Sequence, residues 1–138
     1  MTVLVIDAQG GGIGRQLTAA IKQRLPSVSI TAVGTNSAAT AAMLKAGADN
    51  GATGENAVMV GCRTADIIVG PIGISVADSM LGEVTPNMAL AVAQSRAAKV
   101  LIPFRHCGFT VVGVPSYNIT QLIQEAVGIV EGIVNGEG

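Results

Sequence analysis

The sequence predicts an α/β fold: a three-layer sandwich with a mostly parallel sheet, an antiparallel hairpin at one edge and helices on both faces. Three observations carry that expectation. Strand-like and helix-like segments alternate from the first residues, the order that builds parallel sheets covered by helices. The opening strand, Thr2-Val3-Leu4-Val5-Ile6-Asp7, is β-branched and almost wholly apolar, as a strand buried on both faces must be. A glycine-rich turn, Gly10-Gly11-Gly12-Ile13-Gly14, then leads straight into an amphipathic helix.

The elements follow in order. Ile13, Leu17, Ile21 and Leu25 recur at helical spacing, and Pro26 stops that helix. Residues 28–33 read as a second strand. Asn36 or Ser37 caps a second helix that passes Met43 and Leu44 and stops at Gly47. Residues 48–52 form a short third strand, Glu55 to Cys62 a third helix, and Asp66 to Gly70 a strong fourth strand. Thr85 followed by Pro86 is an N-cap and first-turn pair, opening a helix through Met88, Val92 and Ala93. Lys99 to Phe104 is a fifth strand. Phe109 to Val114 follows after only four residues, too few for a helical crossover, and so predicts the antiparallel hairpin. Asn118 caps the last helix, whose Ile119, Leu122, Ile123, Ala126, Val127, Val130, Ile133 and Val134 form one stripe facing the sheet.

Length and charge narrow the function classes. The 138 residues fit a single domain, 1–138, which buries roughly two-thirds of its unfolded surface and leaves no room for a separate catalytic domain. Eight basic and nine acidic residues give a net charge of −1 without a basic cluster, so nucleic acid is not expected as a partner. The longest apolar stretch, Ile67 to Ile74, is broken by Gly70, Pro71 and Gly73, so no membrane span is expected. The first apolar run is a strand ending in Asp7, not a signal peptide. Cys62 and Cys107 make no disulfide framework, and the expected setting is the reducing cytoplasm. Only 12% of residues are charged, which favours a homo-oligomer; Gly128 and Gly132, opposite the apolar stripe of the last helix, read either as a place where a second chain packs closely or as exposed glycines that are simply tolerated.

The glycine turn is the chemical signal. Glycines let a ligand approach the main chain, and a helix start offers unpaired N–H groups and a positive dipole end to an anion. The expected binding residues are Ala8, Gln9, Gly10, Gly11, Gly12, Ile13, Gly14 and Arg15. Thr35 and Asn36 at the end of the second strand join them, with Gly70, Pro71 and Gly73 after the fourth, because ligands in such sheets sit at the carboxyl ends of the strands. The ligand class is a small phosphorylated molecule, a dinucleotide in particular. Asp7 places a fixed negative charge near the expected pyrophosphate. Residues 33–37 carry no acid to hold a ribose, which makes NADP at least as suitable as NAD. A P-loop is excluded: Arg15 stands for its lysine, Gln16 for its magnesium-binding hydroxyl, and Asp66 precedes its strand instead of ending it.

A catalytic set is not legible. The turn resembles the T-G-x-x-x-G-I-G turn of short-chain dehydrogenases/reductases, with Gly12-Ile13-Gly14 as the G-I-G and Asp7-Ala8 in place of Thr-Gly. The tyrosine and the lysine four residues later that such enzymes use are absent, since Gln121 follows the lone Tyr117. His106 beside Cys107 reads as a polar hairpin tip or a thiolate site. Cys62, His106 and Cys107 lack metal-ligand spacing, so no metal is expected. The loop after the fourth strand offers Ser75, Asp78, Ser79, Glu83 and Thr85 as hydrogen-bonding groups beside the turn, with Asp78 and Glu83 equally readable as solvated.

The stretches Val3 to Gly14 and Ala65-Asp66-Ile67-Ile68-Val69-Gly70-Pro71-Ile72-Gly73 carry a resemblance, running the full length, to a family of short bacterial Rossmann-like proteins, domain of unknown function 3842. The resemblance implies a bacterial, cytoplasmic, stand-alone protein and no particular chemistry. Three readings stand: a binding or sensor protein holding a phosphorylated ligand at Gly10 to Arg15; an oxidoreductase whose active site a second subunit completes; and a structural or adaptor homo-oligomer without ligand.

Overall fold

Five strands and five helices alternate along the chain in a computed structural model that describes residues 1–103, 109–114 and 118–136. Strand β1 is Thr2–Asp7, followed by α1 (Gly12–Arg24), β2 (Ser29–Gly34), α2 (Ser37–Lys45), β3 (Asn50–Thr53), α3 (Glu55–Thr64) and β4 (Ile67–Pro71). A single 3-10 turn, Ile72–Ser75, leads toward α4 (Pro86–Gln94), then β5 (Ala98–Ile102) and α5 (Ile119–Val134). The caps read from the sequence are in place: Asn36, Thr85 and Asn118 accept from the amides of Ala39, Met88 and Gln121.

The sheet order is β3-β2-β1-β4-β5, and every pair is parallel. After β3 the chain crosses to the other side of β1, so the winding reverses between β1 and β4. Alternation along β1 feeds two cores. Val3 and Val5 pack with Leu17 and Ile21 of α1, Met43 of α2 and Val127 and Val130 of α5. Leu4 and Ile6 pack on the other face with Val58 and Cys62 of α3 and Met88 and Val92 of α4. The corner between α1, β2 and β3 is pinned by Asp49, which accepts from the Ile30 amide and from Lys22 Nζ; these two donors hold its carboxyl below the ordinary value.

One expectation fails. Residues 109–114 form no strand: they are irregular, with a turn at Val112-Gly113, and Phe109 and Val112 are exposed, the latter 95%. Among the described residues β5 pairs only with β4, and the sheet is wholly parallel. The β-branched run Thr110-Val111-Val112 has strand propensity, but that propensity expresses packing against a neighbouring strand, and among the described residues none lies beside it.

Candidate functional site

At the carboxyl end of β1 the chain turns through Ala8 to Gly11 into α1. Two of the turn's glycines are required by the fold. Gly11 stands at φ +71°, and a Cβ on it would meet the Ala39 backbone at 2.9 Å. A Cβ on buried Gly14 would meet Met43 Sδ at 2.6 Å and Asp7 Cβ at 2.8 Å. Gly10 and Gly12 differ on each count. Neither has a positive φ, both are exposed, and nothing lies within 4 Å of a Cβ on either. Among the described residues no acceptor meets their N–H groups.

Two carboxylates hold the turn from opposite sides. Asp7 is buried and points inward: it accepts from the Ala8 amide at 2.7 Å and the Gly14 amide at 2.6 Å. It therefore caps α1 from the preceding strand, since the N-cap residue Gly11 has no side chain for the task. Asp7 also lines the cleft beside the turn, so its charge stays near the expected ligand position while its oxygens are engaged by these two amides. Burial pushes its carboxyl above the ordinary value, the Gly14 and Ala8 amides pull it back, and the charge of Glu83 adds to the rise.

Glu83 comes from the strap between the 3-10 turn and α4. One of its oxygens, Oε1, accepts from three elements: the Gln9 amide at 2.8 Å, Thr35 Oγ1 at 2.7 Å and Asn36 Nδ2 at 2.8 Å. Partial burial works to raise the Glu83 carboxyl, but these three donors outweigh it and hold it below the ordinary value. Asn36 Nδ2 also donates to the Gln9 carbonyl, joining the turn to the end of β2. The strap is strained: Asp78, Met80 and Leu81 all stand at φ between 55 and 64°, unusual for side chains of this bulk.

Between the turn and the end of β4 lies a cleft of about 160 Å³, at the point where the strand order reverses. It gathers Asp7 from the end of β1 and Ala8, Gln9, Gly10, Gly11, Gly12 and Ile13 from the turn, with Pro71, Gly73 and Met80 opposite. Thr35 and Asn36 lie beyond its lining, reached through Glu83. Gly14 is packed behind the turn, and Gly70 is buried against the Ile6 carbonyl. Arg15 is exposed on α1, outside the lining. Of the loop candidates, Ser75 and Ser79 donate to the carbonyls of Ile72 and Gly73, Thr85 donates to Glu55, and Asp78 is exposed. Of the two readings of Glu83, the hydrogen-bonding group beside the turn is the one seen, whereas its partners Thr35 and Asn36, and Met80 as cleft wall, depend on where the strap folds back.

His106, Cys107 and Tyr117 lie outside the described residues. Burial pushes the Cys62 thiol up to about 11, which makes it a core side chain and not a thiolate. Larger clefts lie between β5 and α5, about 340 Å³, and between α3 and α4, about 390 Å³, but neither touches the glycine turn. Among the described residues no three potential ligands cluster for a metal, and no helix is long and apolar enough to cross a membrane.

The chain belongs to the family described as Domain of unknown function (DUF3842), which matches residues 2–135. No curated protein matches the sequence. Among solved structures it is similar to a dodecameric FMN-dependent Ubix-like decarboxylase from Escherichia coli O157:H7, at 18% identity and a TM-score of 0.48, covering 95% of this chain and 76% of that one. It is also similar to AibC, at 19% identity and a TM-score of 0.46, covering 94% of this chain and 41% of that one.

Proposed function

We propose that this member of the family binds a small phosphorylated ligand, a nucleotide or dinucleotide, in the cleft between the glycine turn and the end of β4, and serves as a binding or sensor protein. The observation that supports this reading is the division among the glycines. Gly11 and Gly14 are explained by backbone angle and packing; Gly10 and Gly12 are not. A side chain at either of those two positions would stand in the approach to the main-chain amides, which is the space a phosphate needs. The proposed contacts are the main chain of Gln9 to Ile13, with Pro71 and Gly73 opposite. Association of identical chains is part of the proposal, to be measured by light scattering on the eluting protein.

A thermal-shift series with NAD, NADP, FMN, FAD and ADP tests it. A ligand at 100 times its dissociation constant adds about 2.7 kcal/mol of stability. Gly12→Asp puts a negative charge into the cleft where the fold has room for it, and the shift is expected to vanish while the variant remains folded. A shift that survives Gly12→Asp places the ligand elsewhere. No shift with any of the five favours the adaptor reading.

A further inference from the structure

We infer that the three donors now satisfied by Glu83 are a phosphate subsite, and that Glu83 is its internal occupant, displaced when ligand enters. The inference deepens the reading above and rests on it for the adjoining cleft. The Gln9 amide, Thr35 Oγ1 and Asn36 Nδ2 come from the β1–α1 turn, the end of β2 and the cap of α2, and they converge on one oxygen within 2.7–2.8 Å. Three neutral donors meeting at a point build a site for an oxyanion, because each bond to an ionised acceptor is stronger than its neutral counterpart. The corner that presents Thr35 and Asn36 is rigid: Thr40 Oγ1 accepts from the Gly34 amide, and a Cβ on Gly34 would strike Thr40.

The occupant is replaceable where the donors are not. Glu83 is half-buried and accepts all three bonds on Oε1, while its strap stands in backbone conformations that bulky residues resist. Withdrawal of the strap releases that strain and moves Met80 out of the cleft wall. Such an opening is needed on size alone. The closed cleft of about 160 Å³ falls below the roughly 300–1,000 Å³ of pockets that hold cofactor-sized ligands. Ligand and Glu83 then compete for the same donors, so affinity reports the cost of displacing the strap.

The test is calorimetric titration of the full chain with inorganic pyrophosphate. Glu83→Ala vacates the donors and is expected to tighten binding about tenfold or more, equivalent to 1.4 kcal/mol or more. Asp78→Asn removes a charge from the same strap without touching the donors and is expected to leave affinity unchanged, separating vacancy from a change of general field. Thr35→Val in the Glu83→Ala background is expected to abolish the gain. Equal affinities in wild type and Glu83→Ala, a gain matched by Asp78→Asn, or a gain that survives Thr35→Val would each overturn the inference. Its failure is distinct from that of the parent reading. Gly12-dependent nucleotide binding with no effect of Glu83→Ala leaves the cleft and removes the subsite. A Thr35-dependent gain for pyrophosphate with no nucleotide shift does the reverse.

Discussion

The inner and outer sides of the glycine turn use the same chemical group for different ends. Inside, Asp7 is buried, holds the Ala8 and Gly14 amides, and stands on the central strand of the sheet. Outside, Glu83 is half-buried, holds the Gln9 amide with Thr35 and Asn36, and stands on a strained strap. Each carboxylate answers main-chain donors left over where a strand becomes a helix. They differ in what removing them exposes. Loss of the inner group leaves a buried amide without a partner; loss of the outer group leaves donors that water reaches. The inner side is architecture, and the outer side is an exchangeable contact.

The largest expected effect sharpens that difference. Asp7→Ala removes the acceptor of two amides, one in the buried first turn of α1, and is expected to destabilise by about 2–3 kcal/mol in urea denaturation. Glu83→Ala in the same assay is expected to cost well under half as much, and equal losses would erase the distinction between the two sides. Next are the glycines. Gly14→Ala forces a methyl against Met43 Sδ and Asp7 Cβ and is expected to cost about 1–3 kcal/mol. Gly12→Ala meets open space in a helical backbone and is expected to stabilise by about 0.4–1 kcal/mol while weakening nucleotide affinity. A Gly12→Ala variant that is destabilised would return Gly12 to the structural group.

The smallest effect lies in pH dependence, where the two carboxylates have opposite signs. The Asp7 carboxyl is raised above 3.8, so stability falls as pH rises from that value through its folded pKa. The Glu83 carboxyl is lowered below 4.5, so its contribution is present above 4.5 and lost as pH falls through its folded pKa. The stability difference between wild type and Glu83→Gln, followed by denaturation from about pH 3 to 7, is expected to shrink on the acid side. A difference that grows as pH falls contradicts the donor arrangement around Oε1.

Local pattern and chemistry were enough for the elements and the glycine turn. The strand Thr2 to Asp7, the caps at Asn36, Thr85 and Asn118, and the stripe on the last helix are all periodicities or short-range hydrogen bonds, legible within a few residues. Tertiary structure alone decided three matters. The run at 109–114 has strand composition but no strand, because pairing is a property of the neighbour and not of the run. Asp7 caps α1 while lining the cleft, because its carboxyl turns back onto the Ala8 and Gly14 amides. Glu83 stands at the end of β2, where no local acid exists, because the strap after β4 folds back across the turn. That last contact joins residues far apart in the chain through single side-chain bonds, and no periodicity records such a meeting.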